Sequence, residues 1–593
     1  MITDSLHVTR PSLGRRLPRL LLLWAGLLGL ARAEDPAPNA MAQLVHILVE
    51  QKTLTAEQGQ LLLQVSEAEK AAVAKQVEVA VRRALPPGAP APANAATAPA
   101  HGSVLVQYVP EVVKQQLRED IKQDVMQQAR AENWAAPHSY PAWIDRFKFS
   151  GDLRLRYEGQ FYPAGNALNE LSNFNAINTG SPYDVSAANL SAEPLYNVDQ
   201  NRSRLRLRAR FGTDIDLSGP FTGGLRLATG DTNSPVTANQ TFGQSGGFTK
   251  YAIWLDRAFV NYDAGLSPTQ QLDFTAGRFE NPFLATNLLW ADDLGFDGAM
   301  ARGRFRLGSV LTPFFTAGVF PIFNTDLNFA SNQPSKLKSE DKWLYAVQLG
   351  TGVKLGEDVR FKLGAAYYYF DNIQGRLSLP AHLLTSSDPG STDALRPAFA
   401  QKGNTYMALR DIVPDASNGY GTTNQWQYYG LAAPFREVAV TARGSYEHFA
   451  PFLLSFEAEA VKNLGFDVHK VNPLAVNNRL PPPSTATAGT LGAYNGGDLG
   501  WTFRLEAGHA AMEKRWDWNV SLGYKYVESD AVVDGFTDSD FGLGGTNLKG
   551  YTFSASVALA PRVWMRARWM SADQIGGPRF QVDVLQVDMN TKF

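Results

Sequence analysis

The chain contains no cysteine. That single absence excludes disulfides, thiol catalysis and cysteine-ligated metal centres together, and it suits export through an oxidising compartment. Beyond the first thirty residues no apolar run approaches the ~20 residues that a membrane-spanning helix requires. There is no excess of either charge: Lys+Arg 55 against Asp+Glu 57 leaves a net charge of -2, so nothing draws the whole molecule to nucleic acid. Histidine is scarce, at 8 residues. His382, His448, His469 and His509 have no Ser or Asp at the spacing of a hydrolytic triad, which argues against an enzyme. Aromatics, by contrast, are generous, with Phe 33, Tyr 21 and Trp 12 in 593 residues.

Four segments precede the main body. Arg10, Arg15, Arg16 and Arg19 lead into the apolar stretch Leu20–Leu30, followed by Ala31-Arg-Ala33. This is the order of a secretory signal peptide, placed at 1–33. Residues 34–84 are expected to hold a periplasmic helical hairpin. Leu44, Val45, Ile47 and Leu48 form its stripe, and Thr55 with Gln58 makes a capping box. A Pro/Ala-rich linker occupies 85–109. A second periplasmic helix is expected over 110–135, with Val113, Leu117, Ile121 and Val125 four apart on one face. That stripe fits a helix against the mouth of the main body or a short coiled coil.

From about residue 145 the pattern changes to strict alternation. Phe147, Phe149, Gly151, Leu153, Leu155 and Tyr157 interleave with Arg146, Lys148, Ser150, Asp152, Arg154 and Arg156. Leu205, Leu207, Ala209 and Phe211 interleave with Arg202, Arg204, Arg206, Arg208 and Arg210. Side chains alternate across a strand, so each such segment has one greasy and one wet face. The pattern recurs about sixteen times (14–18 on the outside) up to the last segment, Leu585–Phe593, although 251–262 and 272–278 alternate less cleanly. The links between these segments are alternately long (162–200, 229–250, 279–296, 321–342, 371–435, 462–499, 527–549, 571–579) and short. Tyr157, Tyr367, Tyr369, Trp501, Tyr524 and Tyr551 fall at one set of strand ends, and Phe147, Tyr446, Trp516 and Phe593 at the other. Alternating strands, sorted loops and two aromatic girdles together describe an all-β antiparallel transmembrane barrel spanning 145–593. About sixteen strands leave room for water inside.

Charge on the inner face can persist only in contact with water or with a partner. A basic wall is expected from Arg154, Arg156, Arg202, Arg204, Arg206, Arg208, Arg210, Arg566 and Arg568, which close into neighbouring strands. Asp152 and Glu158 could neutralise part of it. An acidic wall is expected from Glu437, Glu447, Glu457, Glu459, Glu506 and Asp517. The two would set a transverse field across the lumen. The alternative is that loop carboxylates tie the arginines up. Asp534, Asp538 and Asp540 lack the spacing of a calcium loop and read as solvated loop acids. Gly223-Gly224 and Gly544-Gly545 precede no helix that could cradle phosphate. No catalytic residue, metal or cofactor is expected.

Several strings are more specific than alternation. They are Thr229-Gly-Asp-Thr-Asn-Ser-Pro-Val-Thr-Ala-Asn-Gln240, Ile253-Trp-Leu-Asp-Arg-Ala258, Gly277-Arg-Phe-Glu-Asn-Pro-Phe283, Leu289-Trp-Ala-Asp-Asp-Leu-Gly-Phe296, and Asp530-Ala-Val-Val-Asp-Gly-Phe-Thr-Asp-Ser-Asp-Phe541 with Lys549-Gly-Tyr551. Tyr108-Val-Pro-Glu111 and Gly151-Asp-Leu-Arg-Leu-Arg-Tyr157 agree with them. On these residues the chain resembles the family named putative outer-membrane porins, Gram-negative β-barrel porins. The resemblance implies an outer-membrane location, a surrounding lipid phase, a homotrimer, and delivery by periplasmic chaperones to the barrel assembly machinery, with terminal Phe593 as the assembly signal. The expected function is a water-filled channel for passive diffusion of small hydrophilic solutes, leaning toward anions. The alternatives are a substrate-specific channel for an anionic nutrient and a structural envelope tether that contacts peptidoglycan through the N-terminal helices.

Overall fold

The computed structural model describes residues 143–593 apart from 187, 190–192, 233, 327–328, 331–335 and 488–489. The expected signal peptide (1–33), helical hairpin (34–84), linker (85–109) and second helix (110–135) lie outside the described residues. Within them, sixteen long strands follow one another. These are β1 (Phe147–Phe161), β2 (Arg202–Ser218), β3 (Phe221–Thr229), β4 (Ile253–Asp263), β5 (Gln270–Glu280), β6 (Gly295–Phe305), β7 (Leu311–Phe323) and β8 (Lys342–Leu355). The second half comprises β9 (Val359–Asp371), β10 (Arg436–Tyr446), β11 (Phe452–Asn463), β12 (Leu499–His509), β13 (Trp518–Val527), β14 (Leu548–Ala560), β15 (Val563–Gln574) and β16 (Gln581–Lys592). Each pairs antiparallel with the next, and β16 pairs back onto β1, from Asp152↔Lys592 to Phe161↔Asp583. The sheet has no free edge, so its backbone donors and acceptors are satisfied within lipid. The barrel expected from the alternation is therefore present, with its long and short links on opposite rims.

The outward residues behave as a lipid face should. Phe149, Leu153, Leu155, Leu205, Phe211, Leu349, Leu505, Leu522 and Met589 are exposed. Rings gather at both rims. On the long-loop side Tyr345 stacks on Tyr369 (6.2 Å) and Tyr524 meets Tyr551 edge-on (4.7 Å). On the short-turn side Phe149 stacks on Phe211 (5.9 Å), and Phe452 meets Trp518 (5.7 Å). Trp516 stands at the inner rim, in the turn just before β13 rather than within the strand, with φ 74. The two poorly alternating segments also have local causes. In β4 the pairing slips between Arg226 and Leu227, so that Asp256 is an extra residue opposite β3. In β5, Gly277 takes φ +122, and a Cβ there would stand 2.3 Å from the Ala258 carbonyl oxygen. Both break a period of two.

Phe593 extends the closing seam beyond β16. It exchanges two backbone bonds with Gly151, each 3.1 Å. Its ring lies over the place where a side chain at Gly151 would begin, 2.5 Å from an ideal Cβ. Gly151→Leu is expected to force the ring and seam apart, costing about 1–3 kcal/mol. A lower folded fraction by heat-modifiable gel mobility would show it, whereas wild-type mobility and urea midpoint would refute the account.

The apolar core lies inside the barrel, on the long-loop side. Loops 281–294, 372–435 and 528–547 bring Leu288, Leu289, Leu395, Leu409, Leu431, Phe435 and Ala531 into one buried cluster with Tyr368 of β9, all nearly inaccessible. Buried carboxylates cross-link these loops. Asp530 accepts from Thr405 N (2.9 Å), Thr405 Oγ1 (2.6 Å) and Ser529 Oγ (2.7 Å). Asp534 accepts from Tyr406 OH (2.9 Å). Burial pushes the Asp534 carboxyl up to about 7, and its bonds with Tyr406 and the backbone only partly offset this. The folded form therefore holds a proton that the unfolded chain, at 3.8, releases. The loop cap should be firmest below pH ~4 and lose stability as pH climbs to about 7. Lys402, pushed down to about 7 by burial, changes stability only from there up to its ordinary 10.5, above that window. Hydrogen exchange over 400–410 and 528–547 should quicken between pH 5 and 7 beyond its chemical rate. Asp534→Asn should flatten the excess, and an unchanged excess in that variant would remove the assignment.

Candidate functional site: the lumen wall and its inward loop

Loop 281–294 leaves the outer end of β5 and crosses the lumen. Gln348 of β8 grips Leu284 from both sides, accepting from its N–H (2.7 Å) and donating to its carbonyl (2.8 Å). Arg443 of β10 donates to the Ala285 carbonyl at 2.6 Å. Glu459 of β11 accepts from Thr286 N (3.1 Å) and Oγ1 (2.6 Å). Trp290 packs edge-on against Tyr368 (5.3 Å) and Phe296 (5.0 Å). The Ala291 N–H donates to the Phe536 carbonyl (2.8 Å), which ties in loop 528–547. At the far end Asp293 meets Arg208 (3.2 Å) and Arg210 (3.1 Å) on β2. The loop is thus a strut fixed to both sides of the barrel.

Register explains the arginine array. Across β15, β16, β1 and β2, Arg566 faces Asp588, Asp588 faces Arg156, and Arg156 faces Arg206. In the row above, Arg568 faces Gln586, Gln586 faces Glu158, and Glu158 faces Arg204. Arg156 is fully buried, bonding Asp588 (2.7 Å) and Asp540 (3.1 Å). Arg568 pairs with Asp540, and Arg566 with Asp588 (2.8 Å). Arg204 meets Glu158 at 2.6 Å, with Arg206 farther off at 3.4 Å. Arg208 and Arg210 share Asp152 (2.8 and 2.6 Å) with Asp293 beyond. Arg154 is buried and donates to Asn239, and Arg202 is exposed at the outer end of β2.

Loop carboxylates thus enter the expected basic wall, and most of its guanidiniums are matched. Burial pushes the Asp293 carboxyl up, but Arg208, Arg154 and Arg210 outweigh that and hold it below its ordinary value. Burial is likewise overcome at Asp540, which Arg156, Arg568, Arg154 and Arg206 hold well below the usual carboxylate range. Asp534, Asp538 and Asp540 are not solvated as expected. Asp538 pairs with Lys525 (3.0 Å) and the other two are engaged as described. No group of three or more metal-ligating side chains occurs among the described residues.

The expected acidic wall divides differently. Glu437 and Glu459 are buried, the latter under the strut. Glu447 lies in the turn after β10 and pairs with Arg360 (2.9 Å). Asp517 lies in the turn before β13, accepting from the N–H groups of Glu513 (3.0 Å) and Lys514 (2.7 Å). Glu457 sits between Arg443 (2.6 Å) and Arg504 (3.5 Å), with Glu506 also 3.8 Å from Arg504. Local pairing across the register replaces two walls of opposite sign, because cations on β9, β10 and β12 share the same inward parity.

Those cations were missed by the sequence reading, although parity could have found them. Lys362 faces Arg443 across β9 and β10, and Arg302 and Arg304 on β6 act on it electrostatically. Asp293 and Asp540 carry no periodic signal. Below the strut, toward the short turns, lies a cavity of about 1200 Å³. Nine Arg and Lys side chains line it, including Arg210, Arg257, Lys362 and Arg443, against four acids, Glu280, Asp292, Glu457 and Glu506. The histidines among the described residues lie in loops, in turns or at a strand end. His448 meets Asp358 (3.0 Å) in exposed turns. His382 meets Asp415, whose other oxygen accepts from Ser417 rather than leaving that hydroxyl to the histidine, so the order of a catalytic triad is absent there.

No curated protein matches this chain. Among solved structures it is similar to OprB of Pseudomonas putida, at 12% identity over 76% of this chain and 95% of that one, with TM-score 0.39. It is also similar to the outer membrane channel DcaP of Acinetobacter baumannii, at 8% identity over 75% and 97%, with TM-score 0.34. A third is OmpF of Salmonella typhi, at 10% identity over 75% and 97%, with TM-score 0.32. The family model described as Putative porin matches residues 38–593. A closed sixteen-strand barrel whose sequence matches that model over nearly its whole length belongs to the Putative porin family and is an outer-membrane channel.

Proposed function

We propose that the protein conducts small hydrophilic solutes passively across the outer membrane and prefers anions. The observation that carries this reading is the basic lining of the 1200 Å³ cavity below the strut. Rows of like charge bias which ions enter a water-filled passage. The arginines of β1, β2 and β15 contribute less than their number implies, because Asp152, Glu158, Asp293, Asp540 and Asp588 match them. The preference is assigned instead chiefly to Lys362 of the cavity lining, which faces Arg443 on the neighbouring strand and has Arg304 and Arg302 beyond it. The matched arginines shape the passage and hold the loops that narrow it.

Reconstitution of the mature protein in a planar bilayer under a KCl gradient tests this. Stable conductance steps with a reversal potential on the chloride side are expected, and potassium selectivity would overturn the preference. Lys362→Glu should lower the chloride-to-potassium permeability ratio by roughly fivefold, the factor for about 1 kcal/mol of Coulomb energy at close range in water. Asp293→Asn should detach the strut from β2, giving larger and noisier steps. Wild-type conductance and noise in that variant would show that the strut does not set the passage.

A further inference from the structure

A second cavity, of about 290 Å³, lies on the long-loop side of the strut, where five loops converge on β2. We propose that it binds a small anionic polyol, a hydroxy-carboxylate the size of one sugar unit. The inference rests on the channel reading and adds to it a saturable site on the outer approach.

The charged residues lining this cavity are Arg204, Arg206 and Lys402, with no carboxylate among its described lining. Lys402 is occupied, donating to the Gly544 carbonyl (2.8 Å). Arg204 holds Glu158 at 2.6 Å. Arg206 donates only a long bond to Glu158 (3.4 Å), with Asp231 at 3.9 Å, although its side chain is only 8% exposed. Among the described residues neither its Nε nor the buried Ser234 hydroxyl on the same cavity finds a partner. Stranding buried donors is costly, and a ligand that engages them recovers that cost. An oxyanion suits a guanidinium, and a hydroxyl suits Ser234. Tyr196 and Phe580 supply flat apolar faces, and Asn175 adds an amide. Aromatic walls with a few convergent polar groups are the usual make-up of a small-molecule site. The volume admits one small ring or its open-chain acid. From here the inward face of β2 leads through Arg208 to Arg210, which lines the larger cavity.

The test uses the mature protein in a planar bilayer in KCl, with gluconate, sorbitol or orthophosphate added on the long-loop side. Each current is normalised to that variant's own KCl conductance. Gluconate should block saturably, while sorbitol and orthophosphate should block far less. Arg206→Gln should weaken the gluconate block about tenfold, the loss of a charge-assisted bond, and Ser234→Ala about threefold. Folding of each variant is read from heat-modifiable mobility, and if Arg206→Gln does not fold, Ser234→Ala carries the comparison. Unsaturable gluconate block, equal block by orthophosphate or sorbitol, or wild-type block in the folded variants would overturn the site. Absence of KCl steps from a folded barrel would instead strike the channel reading. Calorimetry with gluconate in detergent, again against Arg206→Gln, would then decide the site alone.

Discussion

The pairing of β16 with β1 is the constraint from which the rest follows. In hydrocarbon an unpaired N–H or carbonyl costs several kcal/mol, so the sheet must close, and this one closes through a continuous register from Asp152↔Lys592 to Phe161↔Asp583. Closure dictates the composition of both faces. Outward positions must be apolar, and inward ones cannot form an ordinary hydrophobic core, because sixteen strands enclose more space than their own side chains fill. The exposed leucines and rings outside and the arginines inside are two results of one geometric demand.

The enclosed space is then divided by loops. The chain solves that packing problem with a strut, 281–294, and a cap built from 372–435 and 528–547, so its apolar core sits where a simple pipe would be open. Charges on the wall serve as anchor points for these loops. Asp293 on the strut reaches Arg208 and Arg210, and Asp540 on the cap reaches Arg156 and Arg568. An ion pair removed from bulk water is a weak source of stability but a strong specifier of geometry when both partners are held. Here each pair joins a loop to a strand of the wall and so fixes where the lumen narrows.

The same pairing redistributes the electrostatics. Arginines on β1, β2 and β15 look dominant in number, yet their field is largely cancelled at short range. Lys362 stands among other cations, Arg443, Arg304 and Arg302, of which Arg302 is itself paired with Asp273 (3.4 Å). What a passing ion meets depends on uncompensated charge more than on total charge, since opposite charges a few ångströms apart present little field at the distance of a hydrated ion.

The sequence by itself determined the barrel. Strand count, strand limits, the lipid face and the sorting of long and short links all follow from a period of two that each segment carries locally. Where that period fails, at the Asp256 bulge and at Gly277, the residues are those that disturb a ladder. Inward parity of the arginines was legible for the same reason, and Lys362 and Arg443 were equally legible though overlooked. Tertiary structure alone decided which charges meet. Asp293, Asp534 and Asp540 lie in loops without periodicity, and their partners are set by how far each loop folds into the lumen. That depends on packing of Leu288 and Trp290 against Tyr368 and Phe435, which lie far from them in the chain. Alternation fixes the side of the wall on which a residue lies, and only the folded loops fix what it faces.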